Sequence, residues 1–397
     1  MGTVTDSTPD FIPQTEVTLP VDQDWLQDTL NNATTSRGIL NDTTCEVIAE
    51  GKGFLSVITR VHLNWDRDKS RDLDKLPNGV IIKQPTLEKI KQVEAAAAED
   101  IFDIQTLRLV HNREVSCYRY FTANGFRPPF PMATCYYTEE ASESSAGMLI
   151  LKDLGKEAVS TAFNEYLNVA KMEELMKMIG EMQAYSMKHS GWEEFKNPFS
   201  GELRKKILDN KEESYNYLLE TFPDDFKLSR AGFEKLKQKT EKGLEKFLPE
   251  GDKARDFCPV LTYGDMQPNN ILWKRSPDGT PSDELCAMID YQLMHAGSPY
   301  GDFSGCMIMH MSAEDRRRHD QRLIELYYNT LSKSLGKAPP FTLEEVKEGY
   351  QQVLPMFAFS FMNLFKMFFV IMNPTEDKKF NLIRQLNAAI EDSGILA

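Results

Sequence analysis

Asp265, Asn270 and Asp290 are the residues whose types and spacing suit chemistry. Asp265 stands five positions before Asn270 in the loop GDMQPNN, and Asp290 closes the apolar run LCAMID. Ile271 to Lys274 and Leu285 to Ile289 flank SPDGTPSDE, a segment dense in Pro, Gly, Ser and Asp that predicts a hairpin connection. In an antiparallel hairpin the residue entering the first strand and the residue leaving the second lie at the same end, so Asn270 and Asp290 become neighbours. An oxygen-only set of Asp, Asn and Asp, with no His or Cys, suits magnesium held jointly with phosphate oxygens and leaves one carboxylate free to receive a proton. The bland alternative is a polar loop with an Asx turn beside an ordinary hairpin.

D-x-x-x-x-N is the spacing of kinase catalytic loops, and an Asp at the end of the following hairpin takes the place of the metal-holding aspartate. The phrases G-D-x-x-x-x-N-x-L-W (Gly264 to Trp273), I-D-Y-Q (Ile289 to Gln292) and H-x-G-x-P-x-x-D (His295 to Asp302) resemble the ecdysteroid kinase-like family of nematode and arthropod type. This family is also called CHK kinase-like, and its relatives are the aminoglycoside phosphotransferases and choline kinases. The resemblance covers most of the chain. It implies an α+β, protein kinase-like two-lobed fold with a strand-rich small lobe and a mainly helical large lobe, and an ATP- and magnesium-dependent phosphotransferase acting on a small-molecule hydroxyl. Asp265 would accept or orient the acceptor hydroxyl, and Asn270 and Asp290 would hold the metal. Asp302 would be the carboxylate that orients the catalytic-loop backbone, with a helix N-cap as the alternative. Relatives commonly begin this loop with His-Gly-Asp. Here Tyr263 replaces the histidine, and a tyrosine can serve beneath the loop if its hydroxyl finds a partner.

These residues need a frame. Residues 1–20 read as an extended or disordered lead-in rich in Thr, Pro and acids. Residues 21–150 read as the small nucleotide-binding lobe, opening with a helix over WLQDTLNN. Next, EVIAEGKGFLSVITRVHLNW predicts two strands about a glycine turn. Gly51 and Gly53 lack side chains, so the backbone around Phe54, Leu55 and Ser56 can approach phosphates; G-x-G-F alone also fits any hairpin turn, but the longer phrase resembles the family's nucleotide loop. The strand VIIK sets Lys83 behind three apolar residues, and a buried lysine must find an anion. By resemblance Lys83 holds phosphates and Glu114, on the helix HNREVSCYRYF, pairs with it. The alternatives are an edge lysine and a solvated helix glutamate. GMLILKDLG predicts a last small-lobe strand, and residues 151–155 resemble the hinge whose backbone around Leu151, Lys152, Asp153 and Leu154 reads adenine. The family usually has an acid where Lys152 stands. Residues 156–397 read as a large helical lobe carrying the acceptor site, with a Met and Leu stripe from Leu175 to Met187 at core spacing.

Composition excludes other classes. A formal charge of -14 over 397 residues argues against sequence-independent nucleic-acid binding. Six scattered cysteines without C-x-x-C pairs fit reduced thiols in a cytoplasmic protein. Leu354 to Met372 is nearly long enough to span a membrane, yet Pro355, Asn363 and Lys366 interrupt it, which predicts a buried helix rather than a membrane span. Arg316 to Arg318, set among Glu314, Asp315 and Asp320, reads as a solvated face. Only twelve positions separate Asp290 from Asp302, which leaves no room for a long phosphorylation-controlled segment.

Two other functions fit parts of the sequence. A catalytically silent pseudokinase or ligand-binding protein is favoured by Tyr263 alone. An enzyme acting on choline or another amino alcohol would need an anionic or aromatic cage that the sequence does not locate. The stretch Phe357 to Phe369 could line an apolar acceptor pocket, although core packing is its more ordinary use.

Overall fold

The computed structural model describes residues 18–48, 55–86, 103–123, 130–161, 165–197, 211–247, 259–372 and 374–395. The expected lead-in before residue 18 and the expected glycine turn at Gly51, Gly53 and Phe54 lie outside them. The chain forms a two-lobed α+β fold. Helix α1 (Gln23–Thr34) starts at Asp22, whose side chain accepts the Trp25 N–H at 2.9 Å. Strands β1 (Leu40–Ile48), β2 (Ser56–Trp65), β3 (Gly79–Pro85), β4 (Cys135–Glu139) and β5 (Met148–Lys152) form an antiparallel sheet in the order β1-β2-β3-β5-β4. The strand GMLILK is therefore internal, flanked on both sides.

Alternation along these strands decides which way Lys83 points. Val80 and Ile82 of β3 and Ile150 of β5 pack with Leu26 and Leu30 of α1 on one face of the sheet. Leu149 and Leu151 pack on the other face with Val115, Tyr118 and Phe121 of α2 (Ile104–Ala123), where the core runs on into the large lobe. Lys83 has the parity of Ile81, so the period of two turns it toward α2.

The large lobe contains helices α3 (Val169–Ser186), α4 (Lys211–Thr221), α5 (Arg230–Phe247), α6 (Gly301–His310), α7 (Ala313–Leu335), α8 (Leu343–Met372) and α9 (Glu376–Asp392). Leu175, Met178, Ile179 and Met182 of α3 are buried, as their spacing predicts. Helices α3 and α7 approach closely at Gly180, where an added Cβ would come within 3.0 Å of the Tyr327 carbonyl oxygen. Phe359, Phe361, Phe365 and Phe369 of α8 are buried in the main core, so they do not line an open pocket. Among the described residues, no helix is long and apolar enough to cross a membrane. The five described cysteines are free thiols.

The arginine run is a correction. Arg316 is buried, pairing with Asp392 at the end of α9 at 2.6 Å, while Arg317 and Arg318 stay on the surface. The acidic neighbours in sequence gave no hint of this partner, because α9 arrives from more than seventy residues away.

Two small antiparallel sheets set the loops of interest. β7 (Val260–Thr262) pairs with β10 (His295–Gly297), and β8 (Ile271–Arg275) lies between β6 (Ala158–Ser160) and β9 (Pro281–Met288). Residues 263–270 leave β7, and residues 289–294 return to its partner β10. Both loops are thus anchored at the same pair of strands.

Candidate active site

The predicted hairpin forms, with Ile271 opposite Met288. Its open end brings the Ile289 N–H to the Asn270 carbonyl oxygen at 3.1 Å. Asn270 closes a single 3-10 turn, Pro268–Asn270, and its side chain is buried. Its Nδ2 donates to Asp265 Oδ2 at 2.9 Å and to the Asp265 carbonyl at 3.2 Å, an orientation that aims Oδ1 elsewhere. Gln267 Nε2 donates to the other carboxylate oxygen of Asp265 at 2.8 Å. Burial, aided by the charge of Asp290, pushes the Asp265 carboxyl up to about 7 against the pull of these two donors and of Lys83.

Lys83 joins the lobes. Its Nζ lies 2.6 Å from Glu114 Oε2 and 2.9 Å from Asp290 Oδ1. Glu114 is 1% exposed, so its carboxylate depends on this cation. Burial works against the charge on Lys83, but Asp290 and Glu114 together outweigh it and raise the lysine above its ordinary range. Burial likewise pushes the Glu114 carboxyl up, with Lys83 pulling the other way. Asp290 adopts a left-handed backbone, φ 65°, which is uncommon outside glycine and best tolerated by Asp and Asn.

Beneath the loop, Asp302 accepts the Tyr263 N–H at 2.8 Å and the Gly264 N–H at 2.9 Å. Tyr300, not Asp302, is the N-cap of α6. Burial pushes the Asp302 carboxyl up to about 6, and the two amides resist. Tyr263 is buried, and its hydroxyl donates to the Ile289 carbonyl, one residue before Asp290. Its ring meets Tyr291 edge-on at 5.6 Å. The Tyr263 hydroxyl thus ties the loop of Asp265 to that of Asp290. His295 engages the Leu293 carbonyl at 2.7 Å, and burial depresses its imidazole to about 4, so it is neutral near pH 7.

The nucleotide-side residues are distributed less tightly. Ser56 is buried at the start of β2 and lines a recess with Leu55, Lys83, His111, Glu114 and Gln292. Leu151 is buried inside the sheet. The Lys152 N–H donates to Thr134 O at 2.8 Å and the Asp153 N–H to Gly79 O at 3.2 Å, so those two amides are already engaged. Lys152 Nζ pairs with Glu157 and Asp153 pairs with Arg60 Nε at 2.9 Å, while the Leu154 carbonyl accepts from Glu157 and Ala158. The Lys152 and Asp153 amides of this segment are therefore not open to a ligand.

Gln267 was not singled out from sequence, and Arg60 entered only as one letter of the phrase that resembles the family's nucleotide loop. Gln267 lies inside D-x-x-x-x-N, where the motif leaves the residue open, and nothing in the phrase that contains Arg60 signals its pairing with Asp153. Among the described residues, no group of three or more His, Cys, Asp or Glu side chains is arranged to hold a metal.

The sequence profile of the DUF1679 family, described as "Uncharacterized oxidoreductase dhs-27", matches residues 8–392. The chain belongs to this family. It is 25% identical over 337 residues to the "Uncharacterized oxidoreductase dhs-27" of Caenorhabditis elegans, an alignment covering 83% of the chain but 40% of that relative. The chain thus corresponds to less than half of that protein. It is 23% identical to the "Uncharacterized kinase-like protein D1044.1" of the same organism over 74% of each. Among solved structures, choline kinase from Cryptosporidium parvum Iowa II superimposes with a TM-score of 0.52 at 13% identity, covering 89% of this chain and 90% of that one. That likeness establishes a kinase-like fold.

Proposed function

We propose that this chain is an ATP- and magnesium-dependent phosphotransferase that phosphorylates a hydroxyl of a small molecule. The carrying observation is the run of contacts Glu114–Lys83–Asp290, with Asp265 and Asn270 joined beside it, assembled from a strand, a helix and two loops up to 207 positions apart. A lysine braced by a buried glutamate and followed by an Asp, Asn and Asp set is the arrangement that phosphoryl transfer uses.

The donor set fits magnesium. Asn270 Nδ2 is committed to Asp265, and its Oδ1, which accepts from Asn269 Nδ2 at 3.3 Å, keeps a second lone pair for a metal, while Asp290 offers its second carboxylate oxygen beyond the one that takes Lys83. Two protein oxygens suit an ion that completes its shell with phosphate and water. When bound, the ion would neutralise charge on the transferring phosphate. Lys83 would hold the neighbouring phosphates. Asp265, fixed by Gln267 and Asn270, would orient the acceptor hydroxyl and take its proton, for which a carboxyl raised to about 7 is well matched. Asp302 and Tyr263 would keep the loop in register for that step.

The ecdysteroid kinase-like resemblance favours a steroid-like alcohol or glycoside as acceptor, and the choline kinase fold keeps an amino alcohol on the panel. The silent-pseudokinase reading drew on Tyr263, and the hydroxyl of Tyr263 supports the loop instead of disrupting it. Free thiols and negative charge support a cytoplasmic setting. The oxidoreductase description is carried by the family and by a relative of which this chain matches 40%, but every named strand pair among the described residues is antiparallel, whereas the dinucleotide-binding frame is a parallel sheet. The test is ADP release from magnesium-ATP across steroid, glycoside and amino-alcohol acceptors. Acceptor-dependent ADP release supports the proposal. Its absence, together with no binding of magnesium-ATP, would remove it.

A further inference from the structure

Helix α2 carries Glu114, and the residue before it makes contacts of a different kind. Arg113 Nη1 donates to the Met294 carbonyl at 2.7 Å and to the Lys196 carbonyl at 2.9 Å. Its guanidinium lies over the Phe195 ring at 5.2 Å from the centroid. All three partners are in the large lobe. The Phe195 carbonyl in turn accepts the Ala296 N–H at 2.7 Å, so the two segments that Arg113 grips are tied to each other.

The same face of α2 meets the loop that follows Asp290. Cys117 Sγ contacts the Tyr291 carbonyl at 3.8 Å, and the rings of Tyr118 and Tyr291 meet edge-on at 5.3 Å. Positions 113, 114, 117 and 118 fall on one side of a helix. An arginine suits this place because its guanidinium combines several donors with a face that can rest over an aromatic ring.

We propose that Arg113 is a positioning residue that fastens helix α2 to the large lobe and so holds Glu114 against Lys83 without a regulatory signal. In this account the nucleotide site is preassembled: the helix that bears the glutamate is bolted to the loop that bears Asp290 and does not swing. The consequence for nucleotide affinity rests on the phosphotransferase reading. The fastening itself does not.

The test uses the full chain with Arg113→Met, which keeps the stem and removes the donors, and Arg113→Lys, which keeps the charge. Backbone hydrogen exchange is measured without nucleotide, and magnesium-ATP binding by calorimetry. For Arg113→Met, exchange in 104–123 and 289–296 should rise about tenfold while β3 and β5 are unchanged, and the dissociation constant for magnesium-ATP should rise about tenfold, the value of one good hydrogen-bonded contact. Adding Glu114→Gln to Arg113→Met should weaken binding little further, since both act through the same pair. Arg113→Lys should fall between, and it carries the comparison if the methionine variant does not fold. Unchanged exchange, or a rise spread evenly over the chain, overturns the proposal, as does localised loosening with unaltered magnesium-ATP affinity. If the wild-type chain binds no magnesium-ATP, the phosphotransferase reading fails, and the exchange result alone decides for or against the fastening.

Discussion

Lys83→Met isolates the energetics of the ion pair at the lobe junction. Glu114 is buried with Oε2 on Lys83, its main counter-charge, and the backbone at Tyr291 pulls its carboxyl down only as a smaller effect. Removing the lysine strands that carboxylate, which should cost about 3–5 kcal/mol at pH 8, the range seen when one partner of a buried pair is deleted. Asp290 loses the same cation but is a quarter exposed, so water takes over much of its solvation. The sign with pH follows from Glu114. Its folded carboxyl already lies above the ordinary value through burial, and losing Lys83 removes the group that pulls it down. A carboxyl raised in the folded state contributes stability that is present at low pH and is lost as pH rises through the folded value. The deficit of Lys83→Met should therefore grow from pH 5.5 to pH 8. Converting Glu114 to Met as well should recover at least about 2 kcal/mol, because an apolar pair needs no counter-charge. Urea unfolding followed by circular dichroism at both pH values measures all three variants. Equal deficits at the two pH values, or a double variant no more stable than Lys83→Met, would refute the reasoning.

Two other consequences concern the loop of Asp265. Because burial and Asp290 hold its carboxyl at about 7, and the base works only when ionised, kcat/KM should climb about tenfold per pH unit below that value and level off above it; a profile flat from pH 5.5 to 8 contradicts the assignment. Gly264 has φ +83°, and an added Cβ would sit 2.4 Å from the Leu293 carbonyl oxygen, so Gly264→Ala should lose about 1–3 kcal/mol in urea unfolding together with turnover, whereas unaltered stability would contradict the strain argument.

The parts of this fold that follow local rules were open to sequence reading. The hairpin between Ile271 and Met288 was written in its turn residues, and with it the meeting of the segments that hold Asn270 and Asp290. The burial of Lys83 followed from the apolar run before it, and strand parity explains its direction. What escaped was set by distant chain. Arg316 looked solvated among nearby acids, yet its partner is Asp392 on the last helix. The amides of Lys152 and Asp153 looked available, yet Thr134 and Gly79 take them, because the strand they end is internal to the sheet. Gln267 occupies an unspecified place in a motif, and only the folded loop turns it onto Asp265.

The central claim is that one site binds magnesium-ATP through Asp290 and acts on an acceptor through Asp265. Calorimetric titration of magnesium-ATP into the wild-type chain, Asp265→Asn and Asp290→Asn tests it most directly, with turnover measured on the same preparations. The wild type and Asp265→Asn should bind alike, while Asp290→Asn, which loses a full charge at the metal, should bind at least about tenfold more weakly. Turnover of Asp265→Asn should fall at least about a hundredfold, as expected on losing a general base. No binding heat with the wild type, or an Asp290→Asn variant that binds and turns over like the wild type, would contradict the account.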